Sequence, residues 1–317
     1  MWDEILNLAF LASFLSAAVR MAIPLAYAAL GEMISQKSGT INIGLEANML
    51  GGAFLGFAVT YWTGSLFLGF LSGMAAGACF SLLHAFFSIY LRQNQNVIGT
   101  ALNLFALGLT SYMFQVIVNR TAGTYPQIAT LPALPIPLLC KIPLIGDAFF
   151  NKDIVTYLLY ALVIALVWFL NRTTWGLSLV SAGENPQAAD TVGLPVFRIK
   201  YLAAAFNGMM SGLGGAYLVL GQLGMFSENV TSGRGYIALS LVVFGRRNPV
   251  GVCLAALFMG AANALQFKMQ ALGVEMPIQF FTGLPYVLTV LVLVISAVKK
   301  TDSDPAALGK PYIRTMR

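Results

Sequence analysis

The chain has few charged residues and almost none of the residue patterns that build common catalytic sites. Only 9% of its 317 residues are charged, whereas 58% are hydrophobic; soluble domains average about 25% charged residues. The single histidine, His84, leaves a His-based metal site or a Ser-His-Asp triad without support. The GxxxxGK[ST] phosphate loop that usually binds ATP is also missing. The sequence therefore predicts a membrane protein and argues against an enzyme.

The cysteines and the net charge argue against several other classes of protein. Cys79, Cys140 and Cys253 are scattered, so they predict neither a disulfide framework nor a metal site, and no cofactor is expected. The net charge of +6 comes from basic residues in the loops. Such residues orient a protein in the membrane, so the charge does not indicate nucleic-acid binding. Asp3 and Glu4 precede the first apolar run, which is not typical of a cleavable signal.

Apolar runs separated by polar loops indicate an all-α polytopic membrane protein with one transmembrane domain over 1–317. Arg20 and Pro24 interrupt the first run, so nine or ten spans are possible. The predicted spans are 5–30, 46–61, 65–90, 97–119, 153–170, 199–222, 235–245, 250–270 and 279–298.

Basic residues predict the orientation of these spans. When the loops alternate, twelve lysines and arginines fall on one side and five on the other. The positive-inside rule then places the loop 171–200 and the C-terminus in the cytoplasm, and the proline-rich loop 120–152 outside.

The spans also predict two inverted half-repeats, about 5–119 and 199–298, around the span at 153–170. The second member of each half is short, and each follows a glycine-broken lead, Ser38–Gly44 or Ser232–Ile237. Short segments at matching places in inverted halves are typical of a translocation pathway.

Polar residues within the spans are the candidates for contacts with a solute. They are Asn42, Glu46, Asn48, Asn103, Asn207 and Gln222. Each also has a structural interpretation: Glu46 as a helix cap and the amides as bonds between helices. We expect Glu32 to pair with Lys37 at the membrane interface, and Arg234 to hold the turn before the short span. The glycines of 208–215 predict close helix packing.

The loop 171–200 is the one polar island between long apolar runs. In it, Glu184–Asp190 has helix chemistry: Asn185 is a candidate cap, Pro186 stands at the first helical position, and alanines follow. A short helix in an internal loop is typical of a docking surface for a soluble partner.

Four motifs in order resemble a known family. GEMISQKSGTINIGLEANMLGGAF (31–54), NQNVIGTALNLFALGLTSYMF (94–114), GRGYIALSLVVFGRRNPVG (233–251) and GENPQAA (183–189) resemble segments of permease subunits of bacterial ABC importers. This is the group of nucleoside, simple-sugar and branched-chain amino-acid permeases, and 94–114 resembles the nucleoside version. The resemblance covers about residues 5–300.

The resemblance implies an import function that the residues alone do not give. It implies a permease subunit for nucleosides that a cytoplasmic ABC ATPase drives, with a second, different permease and an extracellular nucleoside-binding lipoprotein as partners. The coupling residues would be Gly183, Glu184, Asn185, Pro186, Gln187, Ala188, Ala189 and Gly193. Gln187 stands where the wider importer motif has glutamate, which leaves open which helix face meets the ATPase.

Three alternatives remain. Sugars or branched-chain amino acids are other possible substrates of a permease. An ion-coupled transporter would have to use Glu32 and Glu46, its only candidate relay. The third alternative is an export or scaffold subunit that transports nothing by itself.

Overall fold

Eleven α-helices, two π-helical segments and one two-stranded hairpin account for the helices and strands of the residues described. The structure is a computed structural model that describes residues 8–120, 126–137, 140, 142, 145–271, 283, 287, 290, 294 and 304–313. The helices are α1 (Leu8–Lys37), α2 (Leu45–Thr63), α3 (Leu66–Ala85), α4 (Gln95–Arg120), α5 (Ile145–Phe149), α6 (Ile154–Arg172), α7 (Thr174–Glu184), α8 (Pro186–Thr191), α9 (Val196–Tyr217), α10 (Arg234–Phe244) and α11 (Pro249–Ala271). Strands β1 (Leu134–Pro135) and β2 (Asn151–Lys152) pair antiparallel.

The predicted spans correspond to these helices. Among the described residues, six helices are long and apolar enough to cross a membrane; they are α1, α3, α4, α6, α9 and α11, of which α3 and α9 continue into π-helical turns, Phe86–Tyr90 and Leu218–Leu223. The short α10 has 11 residues and covers about 16 Å, roughly half of a bilayer core. The predicted span 279–298 lies outside the described residues, except for Gly283, Val287, Val290 and Val294.

Helices α1 and α9 form the centre of the bundle. Helix α1 packs against α9, α10 and α11, and α9 also packs against α2 and α3. Every residue from 22 to 36 is buried, as expected for a largely apolar helix that has neighbours on all sides. The outer helices expose large apolar side chains such as Phe67 and Ile164, which suit contact with lipid.

Glycines allow α9 to approach its neighbours closely. A Cβ atom on Gly208 would lie 2.4 Å from the Gly77 carbonyl oxygen, and one on Gly212 would lie 2.3 Å from that of Gly73. The predicted packing role of the small residues in 208–215 is therefore confirmed for α3 and α9.

Helix α1 is continuous, so the alternative of two pieces in the first span is not found. Pro24 has no N–H to donate to the Arg20 carbonyl one turn earlier. The Gln222 side chain replaces that donor, because its Nε2 lies 2.6 Å from the Arg20 oxygen. Arg20 in turn donates to the Gly221 carbonyl at 2.9 Å. Neighbouring groups thus satisfy the backbone where the proline interrupts it.

The two ends of the bundle differ. At one end the loop between α4 and α6 carries the hairpin, and Ile128 donates to the Gly224 carbonyl after α9. At the other end lie the C-termini of α1 and α10, the loop 171–200 and the segment 304–313. We call this second end the basic end, because Lys37, Arg198, Arg246, Arg247 and Lys310 belong to it.

Candidate translocation and coupling sites

Helices α2 and α10 begin next to each other, and one carboxylate lies between their N-termini. Glu46, the second residue of α2, accepts hydrogen bonds from the Gly233 N–H at 2.8 Å and the Gly235 N–H at 2.6 Å. The Thr231 hydroxyl donates to it as well. The first N–H groups of a helix lack partners within the helix, and they give that end a partial positive charge. Glu46 therefore caps α10 and balances the positive ends of both helices.

The amide of Asn103 on α4 joins the same two helices. Its oxygen accepts from the Ala47 N–H at 2.9 Å, and its Nδ2 donates to the Ile43 carbonyl at 3.0 Å and to the Tyr236 hydroxyl oxygen at 2.7 Å. Asn103 lies about 12 Å along α4 from its first residue, which is well inside a bilayer. Tyr236 is 48% exposed, so the cluster reaches the surface of the bundle.

We call this cluster the broken-helix junction. It consists of Glu46, Asn103, Thr231, Gly233, Gly235 and Tyr236.

Two other predicted residues, Asn42 and Asn207, meet at Glu32. The Asn42 N–H donates to the Glu32 carboxylate at 3.2 Å, and Asn207 Nδ2 donates at 2.7 Å. Gln36 donates to Glu32 at 3.0 Å. The expected pair with Lys37 does not form, because a residue five positions later faces another side of the helix, whereas Gln36 lies on the same side.

Three of the predicted amides keep hydrogen-bonding capacity. Within the described part of the chain, Asn42 Oδ1, Asn48 Nδ2 and Asn207 Oδ1 are buried and have no hydrogen-bond partner. Buried polar atoms are usually paired, so these atoms are available to a water molecule or a polar solute.

Gln222 lies apart from the other candidates, at the end of α9 near the hairpin, where it supports the backbone at Pro24. Tyr236 and Thr231 are site residues that the candidate set missed. Their only sequence signal is their position within or next to the glycine-broken lead Ser232–Ile237. Arg234 donates to the Val230 carbonyl at 3.0 Å, which is the turn-holding role expected for it.

The loop 171–200 carries a short helix with the predicted cap. The Asn185 side chain accepts from the Ala188 N–H at 3.0 Å, and Pro186 is the first residue of α8. Ala189 is buried. The exposed residues from 183 to 193 are Glu184, Asn185, Gln187, Ala188, Thr191, Val192 and Gly193, of which Val192 is 77% exposed.

Two cavities beside α6 are apolar. The larger, about 800 Å³, is lined by residues such as Tyr27, Phe70 and Leu158, and the smaller, about 250 Å³, by residues such as Phe169 and Trp175. A site for a polar solute needs several placed hydrogen-bonding groups, so the polar junction is the better candidate.

Comparison with known proteins identifies the family. Residues 14–296 match the family described as the permease component of branched-chain amino acid transport systems. The chain belongs to this permease family. It is thus a multi-pass membrane subunit of an ABC importer, and such a permease works with a partner ATPase that hydrolyses the ATP.

Three relatives cover nearly the whole permease. The guanosine ABC transporter permease protein NupQ of Bacillus subtilis is 37% identical over 93% of this chain and 95% of its own length. The nucleoside ABC transporter permease protein NupC of Lactococcus lactis is 35% identical over 92% and 94%. TsgC13 of Haloferax volcanii, provisionally named a glucose ABC transporter permease protein, is 37% identical over 98% and 100%.

Family membership does not favour the ion-coupled alternative. The structure also engages both carboxylates that this alternative needs, since Glu46 caps α10 and Glu32 holds Gln36 and Asn207.

Proposed function

We propose that this permease subunit imports nucleosides. The observation that carries the proposal is the identity of 35–37% to permeases named for guanosine and nucleosides, over more than nine-tenths of the chain. Glucose is the second candidate, because TsgC13 is equally similar. Both solutes are polar and need hydrogen-bonding groups inside the membrane.

The solute pathway runs past the broken-helix junction. Tyr236 supplies an exposed hydroxyl at the bundle surface, and the buried amide of Asn103 lies directly behind it. Asn42, Asn48 and Asn207 each retain an unpaired polar atom that a base or a ribose could satisfy when helices move. In this pathway Glu46 holds the two helix ends, and Gln222 lies near the outer mouth.

Two inverted halves, about 5–119 and 199–298, frame this pathway. In support, the glycine of each Ser-Gly lead has a left-handed backbone, with φ of +84° at Gly39 and +82° at Gly233. Each lead is followed by a helix that starts at the junction. Helix α10 is short, with 11 residues, whereas α2 has 19 and is longer than the short span predicted for the first half. A pair of broken helices at matching positions is the usual geometry of a midplane binding site.

The basic end faces the cytoplasm and meets the ATPase. The excess of lysine and arginine in its loops supports this orientation, with the C-terminus and the loop 171–200 inside. The ATPase docks on the coupling element, Gly183–Ala189 with Gly193. The exposed Gln187, Ala188, Thr191 and Val192 are the contact face, and the buried Ala189 is the inner face.

A second, different permease and an extracellular nucleoside-binding lipoprotein complete the importer. The binding protein delivers the nucleoside to the outer mouth. Closure of the ATPase on ATP pushes the coupling element, and the two permeases change the access of the pathway. This chain supplies the pathway and the docking surface, and the ATPase supplies the energy.

Uptake by the reconstituted importer tests the substrate. Proteoliposomes with both permeases, the ATPase and the binding protein are given labelled guanosine, adenosine, cytidine or glucose. We expect ATP-dependent accumulation of at least one nucleoside and little accumulation of glucose. Glucose uptake without nucleoside uptake would establish the second candidate instead.

Deletion of 184–190 tests the docking surface. We expect the deletion variant to insert into the membrane but to lose both co-purification with the ATPase and uptake. A deletion variant that transports normally would overturn the docking assignment.

A further inference from the structure

The segment 304–313 binds the coupling loop through its backbone. The Ala307 N–H donates to the Gly183 carbonyl at 3.1 Å, and the Ala306 N–H donates to the Glu184 carboxylate at 3.2 Å. The Gly309 N–H donates to the Gly39 carbonyl at 3.2 Å. The segment therefore joins the end of α7 to the lead between α1 and α2.

The same segment starts a chain of side-chain bonds into the bundle. Asp304 pairs with Arg247, which is only 4% exposed. Arg247 Nε donates to the Gln36 oxygen at 2.9 Å, and Gln36 Nε2 donates to Glu32 at 3.0 Å. Glu32 in turn holds Asn207 and the backbone of Asn42. The chain thus runs from the surface of the basic end to residues that we place in the pathway.

Apolar contacts fix the far end of the segment. Tyr312 is buried, and its ring centre lies 5.3 Å from that of Phe197 in the first turn of α9. Phe197 lies four residues after Gly193, the last residue of the coupling element. Ala307 is also buried. The segment therefore contacts both sides of the coupling loop.

We propose that segment 304–313 is a clasp that transmits movement of the coupling loop to the lead and the broken-helix junction. The inference rests on the proposed function, in which the ATPase moves that loop. Asp304 and Tyr312 are positioning residues: they touch neither solute nor nucleotide, and they act by tying the loop to Arg247 and Phe197. The connection between the segment and the bundle is also rigid. Arg247 has a left-handed φ of +52°, and its hydrogen bonds to Gln36 and Asp304 hold this conformation in place.

Uncoupling of ATP hydrolysis from uptake is the first test. Asp304→Asn and Tyr312→Ala are compared with the conservative Asp304→Glu and Tyr312→Phe, and with Ile313→Ala, whose side chain is 53% exposed. In the assembled importer we expect the first two to reduce uptake about tenfold while ATP hydrolysis changes less than about twofold. Asp304→Glu, Tyr312→Phe and Ile313→Ala should keep the wild-type ratio of solute imported to ATP hydrolysed. Equal losses of hydrolysis and uptake, or no loss at all, would overturn the clasp.

Hydrogen exchange gives a second test that needs no substrate. The importer is compared without nucleotide and trapped with ATP and vanadate. In the wild type we expect trapping to change exchange in both 183–193 and 39–47. In a chain with both Asp304→Asn and Tyr312→Ala the change should stay within 183–193. A change that still reaches 39–47 contradicts the clasp, whereas failure of nucleoside uptake by the wild type contradicts only the proposed substrate.

Discussion

At the scale of single residues, Glu46 shows why a carboxylate can lie inside a membrane protein. Removal from water is costly for a charged group unless hydrogen bonds replace the lost hydration. Here two backbone N–H groups and the Thr231 hydroxyl converge on the carboxylate. The donors belong to α10 and the turn before it, and the carboxylate belongs to α2. One side chain therefore connects the two halves of the chain.

Glu46→Gln tests this connection. The amide nitrogen of glutamine can only donate, and the groups around it, the N–H groups of Gly233 and Gly235 and the Thr231 hydroxyl, donate as well. At least one hydrogen bond is therefore lost together with the charge. Hydrogen bonds to charged groups contribute about 1.5–3 kcal/mol, and we expect a loss of stability of that size. Thermal unfolding in detergent and nucleoside uptake are measured for this variant. The control is Glu228→Gln, which changes an exposed carboxylate that accepts a hydrogen bond from Gln115. Equal melting temperatures of the two variants would contradict the role of Glu46.

Pro24 and Gln222 make a second residue-scale prediction. Gln222→Leu leaves the Arg20 carbonyl without this donor. Because the hydrogen bond is exposed, we expect a loss of stability of about 0.5–1.5 kcal/mol, the net contribution of an ordinary hydrogen bond. Pro24→Ala restores the backbone N–H, so Gln222→Leu should cost less in that background. Unfolding of the four proteins of this double-mutant cycle is compared. Additive effects of the two substitutions would show that Gln222 does not serve the proline.

At the scale of elements, glycine positions decide how closely helices pack. Gly208→Ala would place a methyl group 2.4 Å from the Gly77 carbonyl oxygen, whereas Gly108→Ala on α4 meets no atom within 4 Å. Overpacking costs about 1–3 kcal/mol, and alanine gains up to about 1 kcal/mol over glycine in a helix. We expect Gly208→Ala to lower the melting temperature and Gly108→Ala to leave it unchanged or raise it. Similar effects at both sites would contradict the close contact of α3 and α9.

The sequence predicted most elements because apolar runs and glycine-broken leads are local signals. The bounds of α2, α4, α6, α10 and α11 lie within two residues of the expected spans. The sequence left open whether the first span is one helix or two pieces, since the donor that replaces the N–H of Pro24 comes from a residue 202 positions from Arg20. For the same reason, the contact of Glu46 with Gly233 and Gly235 could not be predicted. Residues that meet only in the folded chain leave no spacing pattern in the sequence.

At the scale of the whole molecule, the basic end gathers the features on which coupling depends. The loop 171–200, the lead after α1, the turn after α10 and the segment 304–313 meet there. The exposed Gln187 and Ala188 lie outside these contacts, whereas Gly183 and Glu184 accept hydrogen bonds from the segment 304–313 and Ala189 is buried. The docking face is therefore separate from the face that passes movement into the bundle.

Val192→Asp tests that separation. The side chain is 77% exposed, so the substitution should leave the fold intact while it places an unpaired charge in the interface, where such a charge costs several kcal/mol. We expect co-purification of the ATPase to fall by about tenfold or more, with unchanged thermal unfolding of the permease. Val250→Asp is the control, because it adds the same charge at the basic end, at a side chain that is 47% exposed. If both variants weaken ATPase binding equally, the docking face extends beyond the coupling element to α11; if neither does, Val192 lies outside it.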